Sequence, residues 1–174
     1  MAGPQRFVLT GGPGAGKTTL LAELARRGFR TVPEAARAVL RGEGGPGLRA
    51  NDPDGFAAAI LKREICRHAA AAGWEGPMFY DRGLGDLAAM PVSSRSLKAE
   101  IERQLQACRY EPVVFRAPAW EEIYCRDAER TQSWDEAVAS DLAVTSAWRG
   151  AGYTIVDLPS LDPAGRAEFV LALI

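Results

Sequence analysis

The stretch Gly11–Thr18, GGPGAGKT, constrains this chain more than any other, because it fits G-x-x-x-x-G-K-[ST] residue for residue. A short apolar run, Phe7–Thr10, leads into it. Lys17–Arg27 follows, with Leu20, Leu21 and Leu24 at helical spacing. A strand that ends in a glycine loop and opens a helix is a cradle for phosphate. Glycines let the backbone wrap an anion where a side chain would collide. Loop N–H groups and the helix N-terminus then point at that anion. The expected nucleotide contacts are Gly11, Gly12, Pro13, Gly14, Ala15, Gly16, Lys17, Thr18 and Thr19. Lys17 is placed to reach the β- and γ-phosphates, and Thr18 to offer its hydroxyl to Mg²⁺.

Strand and helix patterns alternate along the rest of the chain. Gly28 suits a helix C-cap, and Phe29–Val32 reads as a second strand. Pro33 fits the first turn of a helix continuing through Glu34–Leu40. Arg41–Asn51 carries four glycines and a proline and reads as a mobile loop. Asp52 and Pro53 open a helix that runs to about residue 72 and stops at Gly73. Pro77–Tyr80 is a third strand with Asp81-Arg82-Gly83 at its carboxyl end. Ser93 or Ser94 caps a helix whose stripe is Leu97, Ile101 and Leu105. Pro112–Phe115 is a fourth strand, and a short helix is expected around Trp120–Tyr124. Ser133 and Glu136 form a capping box for a helix reaching about Trp148. Tyr153–Leu158 is a fifth strand, and Asp162-Pro163 caps the last helix. This order predicts an α/β fold: a five-stranded parallel sheet with helices on both faces. Neither an internal repeat nor a linker is visible, so residues 1–174 read as one domain.

Charge narrows the partners. With 21 basic and 22 acidic residues, the net charge of −1 argues against a general nucleic-acid binder, which needs surplus cations. Cys66, Cys108 and Cys125 have neither metal-knuckle nor redox spacing and read as buried thiols. The apolar run near the N-terminus is too short for a signal peptide, and no run reaches membrane-spanning length. A cytosolic protein is expected.

Further candidates lie where strands end, because parallel sheets gather ligands at their carboxyl edge. Asp81, just past the third strand, is placed to hold a metal's water shell. Arg82 beside it is placed to face phosphates or an acceptor. Glu34, after the second strand, suits proton acceptance from a substrate hydroxyl or Mg²⁺ binding, or else only a helix dipole. Arg37, one turn on, is an acceptor-binding candidate. Arg126 and Arg130, four apart in a charged segment, would share a helix face and close over a triphosphate. Asp127 and Glu129 offer a plainer role for them, mutual neutralisation. His68 reads as a surface or half-buried residue rather than a catalyst.

The stretches LTGGPGAGKTTLLAELARRGFRTVPEAAR, FYDRGLGD, WEEIYCRDAERTQSWDEAV and GYTIVDLP follow one another in that order. Together they resemble the small bacterial predicted-ATPase family grouped under the AAA name, which is related to the ribosylnicotinamide kinase domain of NadR-type proteins. The resemblance spans about residues 6 to 172. It implies a three-layer P-loop kinase-like core with strand order 2-3-1-4-5, and ATP or GTP binding with Mg²⁺. It implies that Lys17, Thr18 and Asp81 serve nucleotide and metal, and that Glu34 and Arg37 face the acceptor. Arg126 and Arg130 would belong to a lid at about 124–133. The stretch after Asp86, LAAMPVSSRSLKAEI, is shorter and less regular than the family's, so no acceptor is carried over.

The leading functional expectation is a kinase for a small-molecule hydroxyl: a nucleoside, a cofactor precursor or an antibiotic. Either Glu34 or Asp81 would orient that hydroxyl. A nucleotide-dependent switch is the alternative, with the glycine-rich segment 42–47 as its moving part. The sequence has no N-K-x-D base-reading motif and no ABC signature. A nucleic-acid end-processing kinase is a third reading, opposed by the charge balance.

Overall fold

The computed structural model describes residues 3–120 and 133–174. Its elements are β1 (Pro4–Gly11), α1 (Lys17–Arg26), β2 (Arg30–Val32), α2 (Ala35–Leu40), α3 (Gly45–Asn51), α4 (Pro53–Ala70), β3 (Gly76–Asp81), α5 (Leu84–Ala88), α6 (Arg95–Ala107), β4 (Val113–Ala117), α7 (Trp134–Gly150), β5 (Thr154–Asp157) and α8 (Pro163–Leu171). The strands form one five-stranded sheet in the order β2-β3-β1-β4-β5. Every pairing is parallel, with Val8 of β1 opposite Tyr80 of β3 and Val114 of β4.

The central strand is buried on both faces, so it lacks polar alternation and sorts its side chains by period two. Phe7 and Leu9 pack with Phe79 and Phe115 beneath Leu20, Leu24 and Val170 of α1 and α8. Val8 points the other way, joining Met78, Tyr80 and Val114 beneath α2, α4, α6 and α7. That second layer closes on Trp148, fully buried between the edges of Tyr110 and Tyr153.

Helix starts follow local cap chemistry. Asp52 accepts from Gly55 N at 2.8 Å, and Asp162 from Gly165 N at 2.8 Å. Ser133 and Glu136 make the reciprocal capping box, at 3.2 and 2.6 Å. Ser94 rather than Ser93 caps α6, accepting from Leu97 N at 3.3 Å.

Several expectations need correction. Arg41–Asn51 is not wholly loop: its second half is α3. Gly45 lets that helix start directly against α2, since a Cβ there would overlap the Val39 and Leu40 carbonyl oxygens. Leu48 anchors it on the core, and Asn51 donates back to Gly47 O at 3.0 Å. Pro33 stands before α2 rather than in its first turn, with Glu34 at the N-cap position. The short helix α5 was not expected. Cys66 is exposed and Cys108 half-buried, so neither is a core thiol. The helix expected at Trp120–Tyr124 and the lid with Arg126 and Arg130 lie, apart from Trp120 and Ser133, outside the described residues, as does Cys125. Among the described residues, no helix is long and apolar enough to cross a membrane.

Candidate functional site

The loop after β1 is built tightly against the sheet. Gly11 adopts φ 123°, and a Cβ there would overlap the Ala117 carbonyl at the end of β4. Residues Pro13 to Thr19 line a cleft of about 1470 Å³ at the carboxyl ends of the strands. Thr18 and Thr19 are exposed at its mouth, whereas Lys17 is buried. The Lys17 Nζ donates to the loop's own carbonyls, Gly12 O at 2.6 Å and Gly11 O at 3.1 Å. Burial and the nearby Arg82 guanidinium pull its pKa down to about 8, against the opposing pull of Asp81, Glu34 and Asp86.

The ends of β2 and β3 bring charged groups to the same place. Arg82 Nε lies 3.2 Å from Glu34 Oε1, and its Nη1 donates to Asp86 Oδ1 at 2.9 Å. Arg37 Nε donates to Glu34 Oε2 at 3.1 Å. Arg82 takes φ 63°, a left-handed conformation that is costly for a residue with a side chain. That twist turns its N–H to Leu9 O at 3.0 Å, which ties the turn to the central strand.

Asp86 holds the turn from beneath. Its oxygens accept from Thr10 Oγ1 at 2.7 Å, Arg82 Nη1 at 2.9 Å, Gly83 N at 3.1 Å and Trp148 Nε1 at 3.0 Å. Sequence reasoning passed over it. No spacing in the sequence marks it: Arg82 stands outside α5 in a left-handed conformation, and Thr10 and Trp148 are distant in the chain.

The two strand-end acids respond oppositely to this environment. Burial alone would raise Glu34, but Arg82, Lys17 and Arg37 together hold it below the ordinary carboxylate value. Burial pushes Asp81 up, with Lys17 opposing and Glu34 adding to the rise. The buried Asp81 Oδ1 has no hydrogen-bond partner. With the exposed Thr18 hydroxyl it makes a sparse set of hard oxygen donors. Such a set suits Mg²⁺, which keeps water and phosphate oxygens in its shell. Among the described residues, no group of three or more His, Cys, Asp or Glu is placed to cage a metal ion.

A second acid on the cleft wall was also missed. Glu64 of α4 is 2% exposed; its Oε1 accepts from Arg67 Nη1 at 3.2 Å, and its Oε2 has no partner. Burial drives its pKa up to about 7; Arg67 opposes this, while Asp86, Glu34 and Asp81 add to it. Its spacing of four from Ile60 and eight from Phe56 places an acid on an apolar helix face, a signal readable in sequence. Of the expected residues, the structure gathers Lys17, Thr18, Glu34, Arg37, Asp81 and Arg82 around one cleft. His68 lies apart, half-buried, with Nε2 2.9 Å from Arg109 O.

A parallel sheet ordered 2-3-1-4-5, with a glycine loop after its first strand and helices on both faces, is the P-loop kinase-like fold. The AAA domain family model matches residues 6–166, and the chain belongs to that family. No curated protein matches it at a significant level. Solved structures of low identity share the fold. A deoxyadenosine kinase from M. mycoides with dCMP and dCDP bound superposes with a TM-score of 0.71 at 12% identity, covering 97% of this chain and 98% of that one. A shikimate kinase from Acinetobacter baumannii in complex with shikimate gives 0.60 at 16% identity, covering 97% and 92%. The YorR protein from Bacillus subtilis, in complex with phosphorylated GDP, gives 0.56 at 13% identity, covering 97% and 95%.

Proposed function

We propose that this chain is a phosphotransferase that moves the γ-phosphoryl group of ATP or GTP to a hydroxyl of a small molecule, with Mg²⁺ as cofactor. The observation that carries the reading is the pair of strand-end acids beside Lys17, one held low and one raised, on the rim of a cleft large enough for two ligands. The separation divides their roles: ionised Glu34 is fit to accept a proton, and Asp81, with an unpartnered oxygen, is fit to hold a metal ion.

Lys17 exchanges its bonds to Gly11 O and Gly12 O for oxygens of the β- and γ-phosphates, and the loop N–H groups hold the same oxygens. Glu34, kept ionised by Arg82, Lys17 and Arg37, accepts the acceptor's hydroxyl proton. The acceptor oxygen forms its bond to γ-phosphorus as the bond to the β-bridging oxygen breaks, and the nucleoside diphosphate leaves with that electron pair. Arg82, fixed by Asp86, faces the developing charge on the transferring group. Thr18 and Asp81 would hold Mg²⁺, which supplies neutralisation of the phosphate oxygens when bound. Arg126 and Arg130 are assigned the lid on the strength of the sequence resemblance.

No acceptor is borrowed from the family, so the first assay pools nucleosides, cofactor precursors and antibiotics. The fold-sharing proteins add deoxynucleosides and shikimate. The test is transfer from γ-labelled ATP to pooled nucleosides, vitamin precursors and hydroxylated antibiotics. A labelled organic product, lost in Lys17→Ala, supports the reading. Release of inorganic phosphate alone across the full pool overturns it in favour of a nucleotide switch.

A further inference from the structure

Phe56, Ile60 and Glu64 lie four residues apart on α4 and face the cleft together, away from the phosphate loop's own helix. The first two give an apolar surface that ends in one carboxyl group. Arg67 claims one oxygen of that carboxyl, and the other is left without a partner in a residue that is 2% exposed. A buried acceptor atom without a donor costs free energy, and folds retain few of them. Glu64 itself lines a cleft of about 1470 Å³. That exceeds the roughly 300–1000 Å³ of a pocket for one small ligand, so a second molecule fits beside the nucleotide. The cleft's charges are mixed: Glu34, Asp81 and Asp86 act on Glu64, and Lys17, Arg37 and Arg82 line the same cleft.

We infer that Glu64 is the acceptor-reading residue, and that the acceptor is a ring-bearing molecule whose body lies on Phe56 and Ile60 while one of its N–H or O–H groups donates to Glu64 Oε2. This rests on the phosphotransferase reading above. It excludes open-chain hydroxy acids such as glycerate, which have no ring to lie on Phe56 and Ile60. Glu64 takes no part in bond making; it sets which molecule is held and in what orientation.

The experiment uses Glu64→Gln, which keeps the side chain's shape. Arg67 donates to Oε1, so it claims the amide oxygen and turns the NH₂ toward the cleft. A donor then faces the acceptor's donor. Transfer from γ-labelled ATP is measured against two pools: ring compounds (nucleosides, nicotinamide riboside, pyridoxal, shikimate) and open-chain hydroxy acids (glycerate, pantoate). The expected result is product from the first pool only. For that acceptor, KM rises about tenfold or more in Glu64→Gln, the size expected for losing one hydrogen bond. The kcat value and the KM for ATP stay within about twofold. Glu64→Ala, read the same way, replaces Glu64→Gln if that variant loses ATP binding. Product from a ring compound with an unchanged acceptor KM overturns the inference and leaves the kinase intact, as does product from open-chain hydroxy acids alone. No product from either pool, with ATP bound, overturns both.

Discussion

Lys17 is buried among charges, and its ammonium rests on two carbonyl oxygens of its own loop. A cation held this way is preorganised to transfer to phosphate without large motion. Removing it leaves Glu34 and Asp81 short of a neighbouring positive charge and removes a donor from the transferring group. Lys17→Ala should lower transfer at saturating acceptor by about 100-fold or more, in the range of losing one preorganised electrostatic contact. Steady-state transfer rates check this, with circular dichroism confirming that the variant is folded. Glu64 supports a prediction of different sign. Its folded pKa of about 7 stands above the ordinary 4.5, so the native state holds this proton more tightly than the unfolded chain. Stability is therefore lost as pH rises from 4.5 through 7, by up to about 3 kcal/mol for this one group. Arg67 favours ionisation, and Asp86, Glu34 and Asp81 all work against it. Glu64→Gln does not titrate. Its stability advantage over the wild type should be about 2 kcal/mol larger at pH 8 than at pH 5, as read from urea midpoints. A constant gap would contradict the buried, half-titrated carboxyl. Lys17 and Thr18 were legible because a fixed spacing encodes the phosphate loop. Glu64's spacing was readable, but it does not tell whether that helix face meets water or a cleft, and Asp86's partners lie far apart in the chain.

Asp86 shows how one side chain can couple elements. Its two oxygens reach β1 through Thr10, the turn after β3 through Arg82 and Gly83, and α7 through Trp148. The Trp148 ring it holds is packed so closely over α5 that a Cβ on Gly85 would enter the indole. Truncation strands the Trp148 N–H and the Thr10 hydroxyl and leaves Arg82 with Glu34 alone among the described residues. Asp86→Ala should destabilise the fold by about 3–5 kcal/mol, the usual cost of removing one partner of a buried charged pair. Chemical denaturation measures this, and a loss below about 1 kcal/mol would mean the turn is held by the backbone alone. The caps of α4, α7 and α8 were legible in the sequence because a cap is a contact between residues three apart. The helix α3 was not. Its glycines suggest a loop locally, while Gly45 is required by the close approach of the α2 carbonyls, a contact between elements. Nor was α5, whose five residues are too few to show a period.

Across the whole molecule, the alternation of elements determines a parallel sheet between two helical layers, but not the order of its strands. That order came from the family resemblance, and its consequence is functional. Placing β1 between β3 and β4 sets the phosphate loop beside Asp81, while β2 at the edge brings Glu34 to Arg82. The cleft thus opens between the glycine loop on one side and α3 and α4 on the other, with both core layers ending beneath it. A ligand bound there contacts several elements that an unfolded chain does not assemble, so binding should appear as stability. At ATP·Mg²⁺ about 100-fold above its Kd, the gain is about 2.7 kcal/mol, or about 5–10 °C in Tm for a chain of this size. Calorimetry on the wild type and Lys17→Ala at the same ATP concentration separates the phosphate cradle from nonspecific effects. The wild type should shift and the variant should shift much less, because the loop backbone remains but its buried cation is gone. An equal shift in both would place the nucleotide elsewhere than on Gly11–Thr18, and the roles assigned to Glu34, Asp81 and Arg82 would fall with it.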